Sequence, residues 1–158
     1  MPTLDLWFTG ANIFVLPFWT LMILLPNWDW TRRTMSSLLP FVALGLLYVG
    51  LFVSAITPES AQALANPTLD VIARFFSDPH AAATGWVHYL AMDLFVGRWI
   101  YWEGQRTGVW TRHSLALCFF AGPMGLLSHI ATAAIAQKQA AKSEPAVSAP
   151  EVSSAKSS

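Results

Sequence analysis

Apolar residues in this chain gather into four stretches, each close to the ~20 helical residues needed to cross a hydrocarbon core of ~30 Å. The first runs from about Leu6 to Leu25, interrupted by Asn12 and Pro17, and stops at Pro26-Asn27. The second runs from about Leu38 to Ile56 and ends at Thr57-Pro58, where proline cannot continue a helix. The third, Ala81 to Trp102, is the least pure, because it holds His88, Asp93 and Arg98. The fourth runs from about Ser114 to Ala136 and is broken in its middle by Gly122-Pro123-Met124-Gly125. The expected fold class is therefore all-α: an integral, multi-pass membrane bundle of four transmembrane helices with up-down-up-down connections.

Composition supports that class. Only 11% of the residues are charged and 54% are hydrophobic, against about 25% charge in a soluble domain. Nine basic side chains balance nine acidic ones, and no basic patch exceeds Arg32-Arg33, so the partner is a lipid bilayer and not nucleic acid. The single cysteine, Cys118, rules out an internal disulfide framework and a thiolate metal cage. The first stretch has no basic leader, and Pro26 and Asn27 follow it, so it is read as a span and not as a signal peptide.

The connections carry their own signals. Between the second and third stretches, Asn66-Pro67 suits an N-cap and first helical position. Leu69, Ile72 and Phe76 then fall on one side, with Asp70 and Arg74 on the other. That pattern predicts a short amphipathic helix lying at the interface. With helix directions alternating, one face holds Trp28, Trp30, Trp99, Trp102 and Trp110 beside Arg32, Arg33, Arg106 and Arg112. The opposite face holds Arg74, Lys138 and Lys142, so the positive-inside rule leaves orientation open. Residues 1–137 are expected to form the four-helix domain. Residues 138–158, rich in Ala, Ser, Pro, Lys and Glu, are expected to be a disordered tail.

Ionisable groups at membrane depth are costly, so they mark the candidate site. At ~1.5 Å per residue, His88 and His129 are expected at one level, with Asn12 and Tyr48 beside them. Asp93 falls nearer the bilayer middle, opposite Pro17, Gly45 and the Gly122–Gly125 break. Each has a purely structural alternative: a buried acid satisfied by a neighbour, a hydrogen-bonded imidazole, a snorkelling Arg98. The four scattered histidines, His80, His88, His113 and His129, do not form the boxes of a di-iron oxygenase. No nucleophile motif or phosphate loop is present. A haem b held between His88 and His129 stays open as an alternative.

The stretch from Gly85 through Trp86, His88, Tyr89 and Asp93 to Trp99 resembles the small membrane family named for the plant abscisic-acid-deficient protein, which is implicated in forming neoxanthin from violaxanthin. The likeness continues in Leu16-Pro17-Phe18-Trp19, Leu44-Gly45-Leu46-Leu47-Tyr48-Val49, Thr57-Pro58-Glu59 and Thr111-Arg112-His113-Ser114. It runs on through Gly122-Pro123-Met124-Gly125 to Ser128-His129. The resemblance implies a protein of a photosynthetic membrane, here a bacterial or cyanobacterial thylakoid or plasma membrane, acting on a carotenoid or xanthophyll. Its partners would be carotenoid enzymes or photosynthetic complex subunits. In that family the step is a redox-neutral isomerisation that opens a 5,6-epoxide to an allenic alcohol. It needs one general acid and one general base and no metal or other cofactor. Asp93 is expected as the acid and His88 or His129 as the base, with Asn12, Tyr48, Trp86 and Tyr89 lining the substrate. The alternative is a non-catalytic carotenoid-binding or assembly subunit.

Overall fold

A computed structural model of the chain describes residues 2–143. Every regular element among the described residues is helical, as expected. The first stretch forms α1 (Pro2–Leu24), and Pro17 sits inside it without ending it. A short α2 (Asp29–Ser36) follows, then α3 (Leu39–Ala55), which Pro40 enters at its first turn, where a missing N–H costs nothing. The long α6 (Pro79–Thr107) is capped at its start by Asp78, whose side chain accepts the N–H groups of His80 and Ala81. It ends at Gly108, which adopts φ 73°, a left-handed conformation that favours glycine.

Between α3 and α6 the single amphipathic helix expected from Asn66-Pro67 is instead two: α4 (Pro58–Ala65) and α5 (Leu69–Phe75). Thr68, not Asn66, caps the second, accepting the Val71 N–H at 3.4 Å. Asp70 and Arg74 do not pair through their side chains; the guanidinium donates to the Asp70 backbone carbonyl, 3.2 Å away.

The fourth stretch departs most from expectation. Ala121, with φ −159° and ψ 101°, separates α7 (Arg112–Phe120) from α8 (Gly122–Ser143), and the two halves fold back on each other. Ser114 and Ser128 hydroxyls lie 3.0 Å apart, and His113 Nε2 lies 2.9 Å from the Thr132 hydroxyl. A Cβ on Gly125 would sit 2.5 Å from the backbone N and Cα of Cys118. Only a residue without a side chain permits that approach. The stretch from Ser114 to Ala136, expected as a single span broken in its middle, is thus an antiparallel hairpin. Its second arm stays helical to Ser143, so the boundary at 137 does not mark the end of ordered structure. The remainder of the expected disordered tail lies outside the described residues.

Helix α6 is the hub. Trp19 and Met22 of α1 close over Gly97, and Tyr101 donates to the Pro26 carbonyl at 2.9 Å, so α1 runs parallel to α6. Phe41 meets Phe95 and Tyr48 meets His88, so α3 runs antiparallel. Arg98 and the Trp102 indole both donate to the Met35 carbonyl, at 2.5 and 3.3 Å, tying down the end of α2. Arg98 is therefore anchored to protein and is not a snorkelling cation. Val15, Trp19, Met22, Leu44, Leu94 and Leu115 form the buried centre of these contacts, while Leu46, Val53, Phe120 and Leu127 face outward.

Among the described residues, one helix by itself, Thr3–Leu24, is long and apolar enough to cross a bilayer; α2 and α3, bent by 44°, pass together. Of the four spans expected from the sequence, the first meets this test alone and the second only together with α2. The reasons are physical: α3 has 17 residues, α6 carries Asp93, Arg98 and Glu103 along its length, and the last stretch is folded in two.

Candidate functional site

The middle of α6 gathers most of the residues singled out from sequence. On one side the Trp86 indole donates to Asn12 Oδ1 at 3.0 Å. The Asn12 amide in turn donates to the Phe8 carbonyl at 2.8 Å, and the Phe8 ring lies 6.0 Å from Trp86. Both polar ends of Asn12 are thereby used, as a side chain in apolar surroundings requires. On the other side the rings of Tyr48 and His88 lie 5.8 Å apart, and the Tyr89 ring meets His88 at 6.1 Å. The expectation that Asn12, Tyr48 and His88 share one level on three helices agrees with these contacts. Trp86 and Tyr89 are 45% and 59% exposed, so a ligand can reach them from the surface.

Asp93 sits further along α6, against the tip of the hairpin. Its carboxyl accepts the backbone N–H of Gly122, the first residue of α8, and His88 lies within electrostatic reach of it. A Cβ at Gly122 would overlap the Asp93 carboxyl, so glycine is what allows this contact. The Cys118 thiol donates to the Asp93 backbone carbonyl at 3.5 Å. The break was legible as the counterpart of Asp93; Cys118 was missed, because a lone cysteine gives no spacing signal. Pro17 and Gly45, the other expected counterparts, are not part of this contact: Pro17 is exposed and a Cβ on Gly45 would meet nothing within 4 Å.

His129 is not brought to Asp93 or His88. Because α8 runs parallel to α6 from Gly122, His129 packs edge-on against Trp99, ring centroids 5.4 Å apart. Trp99 is ~9 Å further along α6 than Asp93 and ~16 Å beyond His88. The shared level expected for the two histidines rested on a straight fourth helix, and the hairpin removes it. His129 is 1% exposed, and neither ring nitrogen has a hydrogen-bond partner among the described residues. The haem alternative needed His88 and His129 to face one macrocycle, an arrangement this geometry does not offer. No group of three or more His, Cys, Asp or Glu side chains among the described residues could hold a metal ion.

Beside the hairpin, Thr132 donates its hydroxyl proton to the Ser128 carbonyl at 2.8 Å. His113 Nε2 must then carry the proton in its 2.9 Å contact with Thr132. An apolar groove of about 620 Å³ also runs between α1 and α3, lined by Leu4, Trp7, Ala43, Leu47 and Leu51, with Ser54 and His80 at one end. None of the seven residues expected at the site lines it.

Fold and site together define a helical protein with aliphatic and aromatic side chains outside, carboxyl and thiol groups at a helix break, and hydroxyl and imidazole groups paired between the two arms that flank it. The chain belongs to the family described as ABA DEFICIENT 4-like, whose pattern it matches over residues 6–129. It is 39% identical over 137 residues to "Protein ABA DEFICIENT 4, chloroplastic" of Arabidopsis thaliana, an alignment covering 84% of this chain and 62% of the relative. The chain thus spans less than two thirds of that relative's length. No solved structure matches it.

Proposed function

We propose that the chain is an integral membrane protein of xanthophyll metabolism in a photosynthetic membrane, and that it isomerises a carotenoid epoxide to an allenic alcohol. The epoxide C–O bond breaks and its oxygen takes a proton; a proton leaves the adjacent polyene carbon, and that C–H electron pair becomes the new double bond of the allene. Substrate and product are isomers, so the step needs an acid and a base and no redox partner. The observation that carries the reading is the set of polar groups along one length of α6: Asn12 with Trp86, Tyr48 with His88, then Asp93. Asp93 and His88 are the proton-transferring pair. Asn12, Tyr48, Trp86 and Tyr89 line the substrate. His129 drops out of the pair and packs from α8 against Trp99 of α6.

A second reading has its own observation. The Asp93 carboxyl capping the first turn of α8 is a structural task, and the groove between α1 and α3 lies apart from every acid–base residue. A non-catalytic pigment-binding subunit would be built this way. Asp93→Asn separates the two readings, because asparagine also accepts the Gly122 N–H but cannot exchange a proton. In a carotenoid-producing host, catalysis predicts loss of the new pigment in Asp93→Asn and His88→Gln at unchanged protein abundance and with host carotenoid still bound. An undiminished yield of new pigment in Asp93→Asn would remove Asp93 from the chemistry, and bound host carotenoid with no new pigment from the unsubstituted chain would favour the binding role.

A further inference from the structure

We propose that α7 and α8 form a re-entrant hairpin, which enters the bilayer and leaves on the side it entered. The chain then crosses three times, through α1, α3 and α6, and the start of α1 and the end of α8 lie on opposite faces. The inference rests on the membrane reading above and goes beyond it. Four contacts fix the path of the hairpin. Thr111, at the start of α7, packs on Gly104 near the end of α6, and Cys118, near the end of α7, reaches Asp93. Gly122 starts α8 beside Asp93 as well, and His129 then meets Trp99. Thus α7 descends along α6 to its middle and α8 climbs back.

The geometry redistributes charge. Lys138 and Lys142 of α8 come to the end of the bundle that already holds Arg32, Arg33, Arg106 and Arg112. Among the described residues the opposite end keeps one Lys or Arg, Arg74, while both ends carry acids: Asp5, Glu59, Asp70 and Asp78 there, Asp29 and Glu103 at the basic end. Four straight spans had left the two faces nearly balanced; the hairpin leaves them strongly unequal. The positive-inside rule then assigns the C-terminal face to the side from which the chain is inserted, cytoplasm or stroma, and the N-terminus to the far side. A second consequence concerns the site. Because the hairpin tip stops at Asp93, Tyr89 and Met92 in the preceding turn of α6 remain 59% and 49% exposed. The substrate therefore approaches Asp93 sideways, from the leaflet that the hairpin does not occupy.

Two measurements test this on the full chain in membranes. In a Cys118→Ala background, Ser114→Cys with Ser128→Cys places thiols where hydroxyls lie 3.0 Å apart. Mild oxidation is expected to consume both within one chain. In a continuous span these positions would be ~21 Å apart, far beyond the ~4.4–6.8 Å between Cα atoms that a disulfide tolerates, so two persistently free thiols overturn the hairpin. Separately, Gln62→Cys is expected to react with a membrane-impermeant maleimide in intact right-side-out vesicles, and Lys142→Cys only after the vesicles are opened. Labelling of both from one side overturns the three-crossing path. Release of the protein by alkaline carbonate would instead overturn the membrane reading, and the crossing count with it, while the disulfide would still report the hairpin fold.

Discussion

Gly125→Ala is the smallest change that asks whether α7 and α8 touch as closely as described. The added Cβ would stand 2.5 Å from the Cys118 backbone N and Cα, whereas carbon atoms in ordinary contact stay ~3.5–4.0 Å apart. The obstruction is backbone, so no rotamer change relieves it, and the two helices must part by about 1 Å. Parting them stretches the contacts on either side of the glycine: Ser114 to Ser128 at 3.0 Å and His113 to Thr132 at 2.9 Å. Overpacking of a tight interface costs about 1–3 kcal/mol. At roughly 2–4 °C per kcal/mol for a chain of this size, the melting midpoint in detergent should fall by about 2–12 °C. Gly45→Ala is the matched control, since its Cβ meets nothing within 4 Å. It should leave the midpoint unchanged or raise it, because alanine is the better helix former by about 1 kcal/mol. Equal midpoints for the two variants would refute the close approach and the hairpin built on it.

Other perturbations address the surroundings of the site. Asp93→Leu removes the acceptor for the Gly122 N–H and should cost about 0.5–2 kcal/mol, where Asp93→Asn costs little; paired thermal melts of the two variants check this. Arg98→Met deletes the 2.5 Å bond to the Met35 carbonyl, a charged hydrogen bond of about 1.5–3 kcal/mol, and should loosen α2, read as faster proteolysis near Arg32 and Arg33. His129→Leu removes two buried nitrogens that have no partner among the described residues and should hold or raise the melting midpoint; a fall of several degrees would show that the imidazole is bonded. A double-mutant cycle of Asn12→Leu and Trp86→Phe should return a coupling of about 0.5–1.5 kcal/mol, and additive single effects would mean that the 3.0 Å bond contributes nothing.

Much of this was legible because it is local. Pro26-Asn27 and Thr57-Pro58 stop the first two apolar runs, which give α1 and α3 to within a few residues. The meeting of Asn12, Tyr48 and His88 with the middle of α6 followed from counting residues down helices whose directions were read correctly. The choice of Thr68 over Asn66 as a cap could not be read that way. Both are good capping residues near one proline, and which of them leaves the chain free to turn into α6 depends on the tertiary path.

The hairpin was not legible for a deeper reason. A Gly-Pro-x-Gly break in an apolar run signals that a helix is interrupted, but a kink that continues across the bilayer and a turn that doubles back require the same residues. What separates them is the pairing of the two flanks, and here the pattern was present unread. Ser114 and His113 before the break match Ser128 and Thr132 after it. In a straight helix those hydroxyls and that imidazole would each need a separate partner; folded in two, the hydroxyls and His113 Nε2 pair with one another, although His113 Nδ1 has no partner among the described residues. Polar residues placed roughly symmetrically about a glycine break are therefore a signal that favours the doubled-back path, since a buried polar group without a partner is costly. His129, eight residues past Ala121 as His113 is eight before it, instead packs against Trp99, and neither of its nitrogens has a partner among the described residues. A depth count that assigned it to the acid–base site assumed the direction of a helix, and that direction is a property of the partners on both arms.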